Sequence, residues 1–165
     1  NIANMNSHSL DKFDKSILVL LQRDARLSVS DIASSVGLSE PACYRRIRQL
    51  RDSGAIDREV AVIKPRIMGW PLSMLVLVTL ETDRSQIMDD LIKRLDAIPE
   101  VLDVWYVTGD HDLVLHVIAQ DMEYFEDFAR RALHSDTNVR SFKTLVVMRN
   151  CKRLSPIPAI SNPDR

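Results

Sequence analysis

Val36-Gly37-Leu38-Ser39-Glu40-Pro41-Ala42-Cys43-Tyr44-Arg45-Arg46-Ile47-Arg48-Gln49-Leu50-Arg51-Asp52-Ser53-Gly54 decides how this chain is read. Gly37 stops one helical pattern, Ser39 stands where the next needs its cap, and Pro41 is tolerated in a first turn. Cys43, Ile47 and Leu50 recur at helical spacing and predict a buried stripe that Gly54 closes. A step of about 100° per residue puts Pro41, Arg45, Arg48 and Asp52 on the opposite face, flanked by Tyr44 and Gln49. Arg45, Arg46, Arg48 and Arg51 fall in a run that contains no acid. On charge alone such a run is a solvated helix face. Its place after a tight glycine turn favours a helix that enters the major groove of DNA. There arginine pairs with guanine edges, and glutamine and tyrosine take adenine or phosphate. Arg46 and Arg51, nearer the sides, suit phosphates, as does Ser39 at the helix start. The predicted DNA contacts are therefore Ser39, Pro41, Tyr44, Arg45, Arg46, Arg48, Gln49 and Arg51.

Upstream, Asp11 is the expected N-cap for a helix carrying Phe13, Ile17, Leu20 and Leu21. Ser28 and Asp31 form a capping-box pattern before Ile32, Ala33 and Val36. Three short helices with a tight turn between the last two match a helix-turn-helix. Downstream, residues 56–63 alternate loosely and are expected to form a short wing strand. Residues 1–9 lack periodicity and are expected to fray.

After the linker at residues 64–71, which holds Pro65, Gly69 and Pro71, the period changes to two. Leu72 to Glu81, Val101 to Thr108, Leu113 to Ala119 and Val139 to Met148 read as strands. Helical patterns run through Ile87, Leu91, Leu95 and Ile98, and through Met122, Phe125, Ala129 and Leu133. The order βαββαβ is the ferredoxin-like split arrangement. The fold class is thus α+β: a winged helix-turn-helix at 10–63, a linker at 64–71, a ferredoxin-like domain at 72–150 and a tail at 151–165. Leu75 and Leu77 lie opposite Met74, Val76 and Val78, and Val114 and Ile118 oppose Leu113, Leu115 and Val117. Two helices cover only one of these apolar faces, so a partner sheet is expected on the other, making a homodimer. The tail from Arg153, with three prolines, is either disordered or an arm crossing to a neighbour.

The 165 residues carry 22 Lys+Arg against 23 Asp+Glu, a net charge of −1 that speaks against a uniformly basic nucleic-acid binder. Resolved along the chain, residues 1–67 hold 11 basic and 8 acidic side chains and the remainder 11 and 15, so +3 is followed by −4. No run approaches the roughly 18 apolar residues of a membrane span, and no signal-peptide core is visible. Cys43 and Cys151 make no disulfide framework, and the chain reads as cytoplasmic. No nucleophile elbow, phosphate loop or HExxH is present. His111 and His116 are expected on opposite faces of a strand, too far apart to share a metal. His8 lies in the fraying start, and His134 ends a helix. The expectation is neither an enzyme nor a metal or cofactor protein. The alternative is a ferredoxin-like small-molecule-binding domain or enzyme with no DNA role, and a third is a purely structural oligomer. Both leave the four arginines without a purpose.

The ordered motifs resemble the Lrp/AsnC family of transcriptional regulators. They are Leu10-Asp11-Lys12-Phe13-Asp14 with Ile17-Leu18, then Val36-Gly37-Leu38-Ser39 with Pro41 and Cys43. Arg46, Leu50 and Gly54-Ala55-Ile56 follow, then Val107-Thr108-Gly109-Asp110 with Asp112, and Val146-Val147-Met148. The likeness spans about residues 10–150. It implies a regulator that binds a pseudo-palindromic operator in double-stranded DNA and whose dimers assemble into tetramers or octamers. It also implies a small effector, usually an amino acid, held between dimers near Thr108, Gly109, Asp110, His111 and Asp112, with Thr144 at an often polar position. Phe142 stands where the family often has threonine, which favours an apolar or aromatic effector, or none.

Overall fold

A computed structural model of the chain describes residues 10–82, 84–152 and 155–159. The expectations for residues 1–9, His8 included, lie outside them. The chain divides into two compact units, one running to Ala61 and including the tail from Lys152, the other spanning Val62–Cys151.

The first unit is built on α1 (Lys12–Arg23), α2 (Val29–Val36) and α3 (Glu40–Asp52). Asp11 and Asp14 close a reciprocal capping box. Asp11 Oδ1 accepts the Phe13 and Asp14 amides at 2.8 and 2.9 Å, and Asp14 Oδ2 accepts the Asp11 amide at 3.1 Å. Ser28 caps α2 by accepting the Asp31 amide at 3.1 Å. Gly37 ends α2 in the left-handed region at φ 74°, which spares a Cβ penalty and turns the chain into α3. Ser39 occupies the N-cap of α3, yet its hydroxyl makes no cap bond. Ile17, Ile32, Ala33, Cys43, Ile47 and Leu50 form the core. Burial of each large aliphatic among them stabilises the unit by about 1.5–3 kcal/mol.

The wing does not form. Ile56 returns to the core through its amide on the Leu50 carbonyl at 3.1 Å, but residues 57–63 carry no strand. Val60 and Val62 are 67 % and 54 % exposed. A strand needs a neighbouring ladder, and this segment has none among the described residues. Among the described residues the helix-turn-helix therefore carries no wing strand. In the tail, the Gln22 side-chain amide accepts the Ile157 N–H at 2.8 Å and donates to its carbonyl at 3.4 Å. The expectations for tail residues 153–154 and 160–165 lie outside the described residues; Ile157 lies against α1 of its own chain.

In the second unit β1 (Leu72–Leu80), α4 (Ser85–Asp96), β2 (Val101–Tyr106), β3 (Leu113–Ala119), α5 (Met122–Ala129) and β4 (Val139–Val146) follow in the expected order. The sheet order is β2-β3-β1-β4, with every neighbouring pair antiparallel. This is the ferredoxin-like topology. Met74, Val76, Val78 and Leu80 of β1 alternate into a core completed by Leu113, Leu115, Leu91, Leu95 and Phe128. The opposite face keeps Leu75, Leu77 and Val114 half-buried and Trp105 and Leu145 exposed. The periodicity predicts one helix through Leu133, but α5 gives way after Ala129 to a π turn over Arg130–His134.

Candidate functional site

The third helix presents two unlike faces. Cys43, Ile47 and Leu50 are at most 4 % exposed, whereas Pro41, Tyr44, Arg45, Arg48, Gln49 and Arg51 face outward. Arg48 Nε stands 3.6 Å from Asp52 Oδ2, a fully solvated pair that holds it weakly. Arg51 Nη2 meets Glu59 Oε1 at 2.8 Å. Arg46 differs from its expected phosphate role. Its Nη1 lies 2.7 Å from Asp14 Oδ1 and 2.8 Å from Asp11 Oδ2, and its guanidinium stacks over Phe13 at 5.4 Å. The Asp14 amide, then the Arg46 guanidinium, hold the Asp11 carboxyl below its usual range. The bond to Asp14 likewise pushes Arg46 up. Arg46 thus bolts α3 to the start of α1. Sequence reasoning missed Asp14 in this role, although its spacing from Asp11 signalled the capping box.

In the second unit a short turn joins β2 to β3. Gly109 sits at φ 126°, the Val107 amide donates to the Asp112 carbonyl at 2.9 Å, and the Asp112 amide donates to Val78 at 2.9 Å. Thr108, Gly109 and Asp110 are exposed. Asp112 is committed to the fold, since its Oδ2 accepts the Leu80 amide at 2.7 Å. His111 Nδ1 lies 3.0 Å from Thr79 Oγ1. Phe142 and Thr144 are not at this turn. They pair with Val78 and Val76 from β4, two strands away from β3, a separation of about 10 Å at the usual strand spacing. Within one chain the turn and these two residues therefore flank β1 from opposite sides, and Phe142 packs against the core. Phe142 packs edge-on against His134, ring centroids 5.0 Å apart.

The expected geometry of the two histidines needs correction. His111 precedes β3 instead of lying on it, and both rings bond hydroxyls on the same face of β1. His116 Nε2 is 2.8 Å from Ser73 Oγ, and its Nδ1 is 3.3 Å from Asp103 Oδ2. Ser73 and Thr79, six residues apart, still keep the rings roughly 20 Å from each other. Cys43 is buried, and desolvation pushes its thiol up, away from thiolate chemistry. Among the described residues no helix is long and apolar enough to cross a membrane.

A helix-turn-helix with an arginine-bearing third helix, joined to a ferredoxin-like domain, defines a DNA-binding regulator of the ligand-sensing kind. Residues 10–51 match the AsnC-type helix-turn-helix domain and residues 73–157 the Lrp/AsnC ligand binding domain. An uncharacterized HTH-type transcriptional regulator of Sinorhizobium fredii is 39% identical over 149 residues, covering 90% of this chain and 88% of its own. The DNA-binding transcriptional activator DecR of Escherichia coli is 29% identical over 90% of this chain and 98% of its own. Among solved structures, a transcriptional regulator of Neisseria meningitidis in complex with L-Met aligns at TM-score 0.84 and 29% identity, over 91% of this chain and 97% of that one. This chain belongs to the Lrp/AsnC family: it is a DNA-binding transcriptional regulator with a small-molecule-binding domain, and not an enzyme.

Proposed function

We propose that α3 reads the operator through Arg45 and Arg48, with Tyr44 and Gln49 beside them and Ser39, Pro41 and Arg51 against the phosphates. The observation that carries this is the division of α3 into a packed stripe and an exposed basic face. Arg46 serves as a positioning residue, since both aspartates at the start of α1 engage it. The working domains are 10–63 and 72–150, with 64–71 as linker and 151–165 as tail, in a protein that acts in the cytoplasm, where its DNA is.

The open face of the sheet, with Leu75, Leu77, Val114, Trp105 and Leu145, is the homodimer surface, and dimers assemble further. Dimerisation presents two copies of α3 to the two halves of a pseudo-palindrome. The effector is an amino acid with an apolar side chain, for which the L-Met complex of the Neisseria relative makes methionine the first to try. The exposed turn at Thr108, Gly109 and Asp110 meets it from one dimer, and Phe142 and Thr144 from another. Splitting the site this way supports a site completed only by assembly. The effector then shifts assembly by its different affinity for the two states. The test is a gel shift with DNA upstream of the chain's own gene, with and without a panel of amino acids. A retarded complex that methionine or another apolar amino acid alters is expected. No complex sinks the operator reading, and a complex indifferent to the whole panel sinks the sensor reading. Asp110→Ala should keep the complex and lose the response.

A further inference from the structure

The helical side of the second unit contains a cavity of about 540 Å³ between α4 and the π turn after α5. That size falls within the range of small-molecule sites. None of the residues of the Gly109 turn lines it, nor do Phe142 and Thr144. Its apolar wall is Ile87, Leu95, Ile98 and Ala132, and two arginines, Arg94 and Arg131, stand over it.

Each guanidinium is held by a shielded carboxylate. Asp136, its side chain 11% exposed, pairs with Arg94 and accepts the Asn138 amide at 2.8 Å on its other oxygen. Glu100, its side chain 8% exposed, accepts Arg131 Nη2 at 3.2 Å and the Tyr124 hydroxyl at 2.8 Å. Both arginines remain 58% exposed. A guanidinium has five N–H donors. One held at a single nitrogen keeps the others for a second anion, with its orientation fixed in advance. Surface ion pairs add little stability, so these pairs do not by themselves account for a hollow of mixed polar and apolar lining between two cations. π turns also recur at functional sites.

Charge selects the ligand. Asp90, Asp136 and Glu100 outnumber Arg94 and Arg131 around the cavity, which disfavours a doubly charged phosphate ester and leaves the uncommitted guanidinium N–H donors to hold at most a single carboxylate. We propose that this cavity is a second ligand site of the regulatory domain. It binds a small aliphatic carboxylate, whose carboxylate rests on Arg94 and Arg131 and whose hydrocarbon body covers Ile87, Leu95, Ile98 and Ala132. A free amino acid and the corresponding 2-oxo acid share this chemistry. They differ at the ammonium group, for which Asp90 is the acceptor at hand.

Titration calorimetry of the full chain with L-leucine and, separately, 4-methyl-2-oxopentanoate tests this. Saturable binding of either probe is expected, and stronger binding of leucine assigns Asp90 to the ammonium. Arg94→Gln should weaken binding by about tenfold or more. Ala132→Leu, which fills the hollow and leaves both guanidinia in place, should do the same if Arg94→Gln fails to fold. Leucine can also occupy the Gly109 turn, so the cavity is read as the isotherm that persists in Asp110→Ala and is lost in Arg94→Gln or Ala132→Leu. The proposal is overturned if neither probe saturates at millimolar concentration. It is also overturned if Asp110→Ala removes the binding while the two cavity variants retain it, because the ligand then sits at the turn.

Discussion

Arg46 of the third helix and Asp14 of the first meet at 2.7 Å, and the Asp14 side chain is 7% exposed. The same guanidinium reaches Asp11, so a single cation pairs with both members of the capping box. Within one basic cluster, then, the arginines divide by task. Arg46 ties α3 to the start of α1, and Arg45 and Arg48 face outward.

Arg46→Ala leaves Asp14 shielded and without its charge partner, a loss of about 1–3 kcal/mol. The first unit should melt at least about 4 °C lower, followed by circular dichroism. At low temperature, where the unit stays folded, operator affinity should fall far less than it does for Arg45→Ala. Unchanged melting together with a large loss of affinity would return Arg46 to the DNA surface.

Arg45→Ala and Arg48→Ala should each weaken operator binding by about 1–3 kcal/mol if they read base edges, without altering melting or assembly. Fluorescence anisotropy at several salt concentrations separates the two kinds of contact. A base-reading arginine costs affinity on the operator and little on random DNA. A phosphate-binding one weakens both alike and lowers the salt slope by about 1.

The buried stripe Cys43, Ile47 and Leu50, the caps at Asp11 and Ser28 and the order of the four strands were all legible, because each is a local pattern with one period. What sequence left unread was non-local. The partners of Arg46 lie 32 and 35 residues away, and no charge count distinguishes a cation facing DNA from one facing Asp14. The wing failed for the same reason: residues 56–63 have strand-like alternation, but only a neighbouring ladder makes a strand. The separation of Phe142 and Thr144 from the Gly109 turn follows from sheet order, which places β4 on the far side of β1 from β3.

Leu77→Asp places a charge at the centre of the open sheet face, between Val114 and Lys143. In a lone subunit the side chain meets water and the fold should survive. Buried under a partner sheet the carboxylate must be desolvated with only Lys143 beside it, which costs several kcal/mol. Light scattering should therefore show the wild-type chain as a dimer or larger and the variant shifted to monomer, with unchanged circular dichroism. A wild-type monomer at micromolar concentration would end the sheet-dimer reading.

Glu100 gives the second unit an acid-sensitive point. Burial opposes its ionisation, but hydrogen bonds from Tyr124, its own backbone and Arg131 outweigh that and hold the carboxyl below its ordinary range. Its depressed folded-state value means that the stabilisation is present above the unfolded carboxylate value, near about 4.3. It fades as pH falls below that, through the folded value. Tyr124, raised chiefly by its bond to Glu100, stays a neutral donor throughout this window. Glu100→Gln keeps the shape and removes the titration, so its melting temperature should fall less steeply with acid than that of the parent. At neutral pH it should already lie lower, because the charged acceptor for Arg131 is gone. Thermal melts of both proteins from pH 7 down to about pH 3 check this, and parallel curves would exclude Glu100 as the titrating group.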